Sequence, residues 1–190
     1  MSAPPPLPAS GFVTVLARIS FVLAALGLAW SLAQMVLALL MPDAAVLRIA
    51  AQPGVPAGLV WTLERRHVLS LALLLLSLLC LAVAWGLLKR REWARLAFIG
   101  LLVAGAAMNF AGLALIGPFF EGLLGMFPAQ MLDTPDGRDL VAQMHFNRQL
   151  TFASSLAGAV VFAGLHGWIA WKLCTAAVRA EFGGRSADRA

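Results

Sequence analysis

Charge is what this sequence has least of. Only 12% of its 190 residues are Asp, Glu, Lys or Arg, while 61% are hydrophobic and the mean hydropathy is +0.86. An ordinary soluble domain is about 25% charged and about 45–50% apolar. A soluble fold of this length could not hide so much apolar surface, so lipid must be the solvent for part of it. Cysteine is nearly absent too. Cys80 lies inside an apolar run and Cys174 at an expected helix end, neither in a Cys-x-x-Cys motif. Their different depths exclude a disulfide and leave two free thiols. Acidic residues are missing from every long apolar run, which excludes a carrier driven by a carboxylate buried at mid-bilayer. There is no glycine-rich phosphate loop, nucleophile elbow or zinc-protease motif. The expectation is therefore no enzyme and no cofactor.

The net charge of +5 and pI near 10.6 would suit nucleic acid. That reading fails, because the basic residues stand at the ends of apolar runs and no basic stripe interleaves with aromatics.

What is present is four long uncharged runs. They span 24 residues between Arg18 and Asp43, 22 between Arg66 and Lys89, 25 between Arg95 and Glu121, and 23 between Arg148 and Lys172. A helix needs about 20 apolar residues to cross the hydrocarbon, whereas a strand needs about 10 with strict alternation. The runs do not alternate. The expected fold is an all-α integral membrane four-helix bundle over residues 11–178, with spans at 19–41, 68–88, 96–118 and 150–172. A short proline-rich tail over residues 1–10 reads as disordered and cytoplasmic, and residues 179–190 as a cytoplasmic tail.

Orientation follows from Lys and Arg. With the N-terminus inside, Arg18, Lys89, Arg90, Arg91, Arg95 and Lys172 anchor the cytoplasmic ends, and the tight cluster at 89–91 weighs most. Trp61 marks the outer interface; Trp85, Trp93, Trp168 and Trp171 mark the inner one. In the first outer segment Asp43 can cap a helix over 44–51, which the Gln52-Pro53-Gly54 sequence breaks. No breaker follows Leu59 before Trp85, so the second span should begin outside the lipid. In the second outer segment, Asp133 to Gly137 is a turn signal, and Asp136 can cap the last long helix.

The halves look alike. Ala17-Arg18 opens the first span as Ala94-Arg95 opens the third, and Trp85 precedes Lys89 by four as Trp168 precedes Lys172. Two duplicated helical hairpins would give this pattern; so would convergence on the same anchors. At Gly86-Leu87-Leu88-Lys89-Arg90-Arg91-Glu92-Trp93-Ala94-Arg95, with Phe12 to Leu16 ahead of the first span, the chain resembles small uncharacterised four-span inner-membrane proteins of bacteria. The resemblance implies a bacterial inner membrane and supplies no catalytic residue.

Candidates for chemistry are few. Gln34 and Asn109 are the strongest intramembrane polar pair; they could bond across the first and third helices, or meet Ser154 and Ser155. Packing glue and a polar pocket are the two readings. His166 is the only group of suitable pKa inside a span, and a haem there would want a second axial ligand at similar depth. His67, His145 and Glu64 could contribute to a metal site near the outer face, but no short-spaced His motif supports it. Small residues such as Gly100, Gly112, Gly158 and Gly167 mark expected close-packing faces.

Three functional readings follow. The leading one is an accessory, assembly or regulatory membrane protein acting through interactions with a membrane-protein partner or a second copy, in contact with the bilayer and not with nucleic acid. The second is a small transporter or channel with its pocket near Gln34 and Asn109. The third is a redox or metal-binding enzyme. Topology is directly testable. A reporter fused after Arg189 should score as cytoplasmic and one inserted near Gly137 as external. Neutralising Lys89, Arg90 and Arg91 together should weaken that orientation.

Overall fold

The computed structural model describes residues 11–52 and 54–183. The tail expected over 1–10 and the last residues of the chain lie outside this description. The described chain is all α, with helices α1 (Gly11–Leu40), α2 (Asp43–Ala50), α3 (Ala57–Glu64), α4 (Arg66–Leu88), α5 (Glu92–Leu113), α6 (Ile116–Leu124), α7 (Ala129–Leu132), α8 (Pro135–Leu173) and α9 (Ala176–Gly183). Four candidate membrane spans meet the length and hydropathy required: Gly11–Leu40, Arg66–Leu88, Glu92–Leu124 and Pro135–Leu173. The expected four-helix bundle is the fold, and the chain is a multi-pass membrane protein. Its exposed surface agrees. Along α4 the side chains of Leu71, Leu73, Leu75, Leu76, Leu78 and Leu79 are all exposed, as a lipid-facing helix requires.

Several boundaries differ from the sequence reading, each for a local reason. The third span does not run unbroken to 118. It turns at Ala114–Leu115, where the backbone bonds tighten to i→i+3 from Ala114 N–H to the Ala111 carbonyl and from Leu115 N–H to that of Gly112. Pro118 lacks an N–H and its ring would crowd the carbonyl four residues back, so a continuous α-helix cannot pass. The second span starts at Arg66, because the chain breaks at Arg65 (φ −99°, ψ 15°). Arg66 Nη1 donates to the Leu63 carbonyl at 3.2 Å, and a side-chain donor in the helical ladder is a recognised cause of a kink. Asp43 lies within the first turn of α2 and makes no side-chain cap. Thr134, not Asp136, caps α8: its Oγ1 accepts from Gly137 N–H at 3.1 Å. Gly137 is buried there, and an added Cβ would stand 2.7 Å from Leu132 Cα, so only glycine fits. The segment expected as a tail from 179 continues α9, whose Val178 and Phe182 are buried.

Two compact units divide the chain. One holds residues up to 34, 72–104 and from 165 onward; the other holds 35–71 and 105–164. The first contains a buried apolar cluster: Val13, Ala17, Leu87, Ala94, Leu173, Val178 and Phe182. Five segments contribute to it, so α9 is part of a core and not an appendage. The turn from α4 to α5 closes this end. Arg91 N–H donates to the Gly86 carbonyl (3.0 Å) and Arg90 N–H to that of Leu87 (2.9 Å), a Schellman arrangement whose C′ residue is Arg90 at φ 53°. Glycine is the usual occupant, and arginine carries a strain cost there. The Arg90 side chain offsets it by pairing with Glu181 of α9 and donating to Thr14 Oγ1 of α1 at 3.2 Å. Gly86 makes the tight turn feasible: an added Cβ would meet Ala94 Cβ at 2.5 Å and Trp93 Cζ2 at 2.9 Å. Close approach therefore occurs here. At Gly100, Gly112, Gly158 and Gly167, where the sequence suggested it, an added Cβ meets open space.

Arg95 is buried in the same unit. Its Nε donates to Glu92 Oε2 at 2.9 Å, its Nη2 pairs with the other Glu92 oxygen, and its Nη1 donates to the Leu173 carbonyl at 3.1 Å. In the second unit Arg66 acts alike on the end of α1: Nε donates to the Ala38 carbonyl (3.3 Å) and Nη2 to that of Met41 (3.2 Å), with Asp43 as the paired carboxylate. The last carbonyls of a helix lack intrahelical donors, and lipid supplies none. Both arginines fill that need. Arg148, in the same unit, faces a carboxylate, Glu121, at 3.8 Å.

Gly86→Ala should destabilise the protein by about 1–3 kcal/mol through overpacking against Ala94. Thermal unfolding in detergent measures this; Gly158→Ala is the control expected to be near neutral. A second outcome concerns pH. The hydrogen bond and charge of Arg66 hold the exposed Asp43 carboxyl below its usual range. A carboxylate depressed in the folded state contributes stability above its unfolded pKa, about 3.9, and loses it as pH falls through the folded value. Asp43→Asn should therefore lower Tm slightly at pH 7, and that difference should vanish in strong acid.

Candidate functional site: a cavity among four helices

Within the first unit, α1, α4, α5 and α8 line an open cavity of about 380 Å³. Its walls are largely aliphatic and aromatic, with Leu23, Ala24, Leu76, Phe98, Leu101 and Leu102. Four polar groups interrupt them: Ser20, Ser77, Cys80 and His166. Each is half-buried. Helical spacing explains the convergence. Ser20, Leu23, Ala24 and Gly27 stand three or four residues apart and share one face of α1, as Leu76, Ser77 and Cys80 share one of α4. Gly27 opens the wall between them. Ser77 Oγ donates to the Gly27 carbonyl at 3.4 Å, joining α4 to α1 where no side chain intervenes.

The site has a direction. Ser20 lies three residues beyond Ala17 of the packed core, Phe98 three beyond Arg95, and His166 seven before Leu173. The end of the cavity at Ser20 and Phe98 thus adjoins the closed core, with His166 and Cys80 about one turn further along. Gly27, Leu76 and Leu102 lie about one to two turns further along, at about 1.5 Å per residue. Leu23 and Leu76 are 62% and 50% exposed, so the cavity opens sideways, toward lipid. Among the described residues no Lys, Arg, Asp or Glu lines it. Such a site can hold an apolar body and satisfy a few uncharged hydrogen-bonding atoms; it offers no counter-charge for an ion.

Sequence reasoning found His166 but missed Ser20, Ser77 and Cys80. The signal was available: serines at helical spacing opposite a glycine in an apolar run. It was masked because isolated serines in spanning helices commonly bond their own backbone, as Ser31 does to Leu28 (3.0 Å).

The expected Gln34 and Asn109 pocket takes a different form. Asn109 is exposed, and its Nδ2 donates to the Gly105 carbonyl of its own helix at 3.0 Å. It lines a separate groove of about 360 Å³ in the second unit with Gly112, Ser155, Gly158, Ala159 and Phe162. Ser154 is exposed and donates to the Thr151 carbonyl (3.1 Å). Gln34 is half-buried on α1 and is not part of that groove. His67, His145 and Glu64 are exposed, and among the described residues no three of His, Cys, Asp or Glu gather as metal ligands would. Of the topology anchors, Lys89 stacks over Trp85 at 5.0 Å, while Arg90 and Arg95 turn inward to the contacts given above. Arg18 and Arg91 are exposed, and Lys172 is half-buried.

Compared with protein-family models, curated proteins and solved structures, the chain gives no match.

Because the Asn109 amide bonds only within its helix turn, Asn109→Leu should change unfolding free energy by about 0.6 kcal/mol or less. Chemical denaturation in mixed micelles checks this. A loss several times larger would show that the amide bridges helices.

Proposed function

We propose that this protein is an accessory, assembly or regulatory component of a bacterial inner membrane, with both termini cytoplasmic, acting through contacts with a membrane-protein partner or a second copy. One observation carries the reading: the end of the bundle holding the α4–α5 turn is built as a fixed plug. Buried apolar groups from α1, α4, α5, α8 and α9 meet there. Two arginines pin it, Arg95 to Glu92 and the Leu173 carbonyl, Arg90 to Thr14 and Glu181. A carrier must open each end in turn, and opening this one would strip partners from a desolvated guanidinium at a cost of several kcal/mol. A fixed plug suits a scaffold that presents surfaces.

The transporter reading keeps one point in its favour, the groove shared by Asn109 and Ser155. Cysteine accessibility separates the two. In a Cys80→Ser, Cys174→Ser background, Val178→Cys should react with a water-soluble maleimide about tenfold or more slowly than Arg179→Cys, since Val178 is 3% exposed and Arg179 lies on the surface. That protection should persist in energised vesicles. Reaction of Val178→Cys that rises with an imposed pH gradient, together with proton-coupled flux, would overturn the scaffold reading.

A further inference from the structure

We propose that the cavity among α1, α4, α5 and α8 binds a neutral amphipathic lipophile, an aliphatic or ring body with one uncharged hydroxyl or carbonyl head, which enters sideways from the bilayer. This goes beyond the scaffold reading and does not depend on it. Three features define the ligand. The volume of about 380 Å³ falls in the range of small-molecule sites, about 300–1,000 Å³. The lining contains no fixed charge, so a phosphate or ammonium head would be buried unpaired, whereas an uncharged head costs little once hydrogen-bonded. The polar atoms are graded along the cavity: the Ser20 hydroxyl lies at the end adjoining the closed core, His166 and Cys80 about one turn further, and at the far end, beside Gly27 and Leu76, the Ser77 hydroxyl is already engaged with the Gly27 carbonyl at 3.4 Å.

That polarity sets the pose. The head points toward Ser20, with His166 one turn beyond, and the apolar body extends past the exposed Leu23 toward Gly27 and Leu76. The core under the cavity contains Val13, Ala17 and Leu173, with 1% or less of each exposed, so the head has no route out past that end. A phospholipid, whose head must reach water, does not fit this pose. An isoprenoid alcohol and a diacylglycerol both do, sharing one uncharged hydroxyl on a hydrocarbon body.

The test uses the full-length protein in nanodiscs with three photoreactive diazirine probes: farnesol, diacylglycerol and phosphatidylcholine derivatives. Saturable labelling by either neutral probe, mapped to α1 or α4 peptides, is expected; which probe saturates at lower concentration identifies the source. Phosphatidylcholine should label without saturation. An added Cβ at Gly27 meets Ser77 Oγ at 3.9 Å, ordinary contact, so Gly27→Ala should bind nearly as wild type. Gly27→Leu fills the cavity and should cut saturable labelling by about tenfold or more. Ser20→Leu, at the polar end, should do the same and serves if Gly27→Leu fails to fold. Ser20→Ala and His166→Ala keep the space, remove a hydrogen bond each, and should weaken labelling by about threefold to tenfold. Labelling that never saturates, or that survives both leucine variants in folded protein, would overturn the proposal and mark the groove as holding annular lipid only.

Discussion

An arginine in the first turn of a helix sits badly with its own helix dipole, because that end already carries partial positive charge. Arg66 and Arg95 both occupy such positions. Each becomes favourable through another helix: Arg66 donates to carbonyls at the end of α1, and Arg95 to the last carbonyl of α8. Leu173 is fully buried, and a buried carbonyl left bare costs several kcal/mol; at the more exposed end of α1 Arg66 joins the Met41 carbonyl to Asp43. The guanidinium's planar fork lets one side chain serve a carbonyl and a carboxylate together, which lysine cannot do with the same geometry. Arg95, Glu92 and Leu173 thereby tie α5 to α8, and the rest of the first unit depends on that tie. The turn into α9 follows Leu173 directly, with Thr175 Oγ1 donating to the Lys172 carbonyl at 2.8 Å, and α9 brings Val178, Phe182 and Glu181 onto the core.

The same constraint accounts for what the sequence showed and what it hid. Hydropathy alone displayed four spans, since nothing soluble explains four uncharged runs of 22–25 residues. Helix existence was legible; helix ends were not. Pro118 and the Arg66 side chain interrupt the backbone ladder by means that a count of charges does not register. The basic residues were read as orientation markers, a role that needs only their position along the chain. Their partners were invisible because Arg90 meets Glu181, and Arg95 meets Leu173, across 91 and 78 residues of sequence. The glycine stripes misled for a related reason. Small residues permit close approach without requiring it, and it is Gly86 and Gly137, not Gly100, Gly112, Gly158 or Gly167, that stand where a Cβ has no room.

The site was half legible for similar reasons. A histidine in an apolar run stands out, so His166 was found. Serines do not stand out, and the cavity depends on where they face. Gln34 and Asn109 drew attention as the most polar intramembrane side chains, yet Asn109 satisfies its amide within one helical turn. Chemical conspicuousness and structural convergence are different properties. The cavity arises where Gly27 leaves a gap in the wall of α1 and where Ser20, Ser77, Cys80 and His166, at different heights on their helices, line one space. Its closed floor is the arginine-pinned core, so the architecture that fixes one end of the bundle also closes one end of the cavity.

The central claim is that α9 and the α4–α5 turn form one rigid unit held through Arg95. Hydrogen-exchange mass spectrometry of the full chain in nanodiscs tests it most directly, with amides of residues 173–183 followed in wild type and in Arg95→Leu. The account predicts that α9 amides in wild type exchange orders of magnitude more slowly than an unstructured peptide, with protection comparable to residues 86–95, and that Arg95→Leu releases both segments together. Exchange of α9 within seconds in wild type, or protection of α9 unaffected by Arg95→Leu, would contradict it.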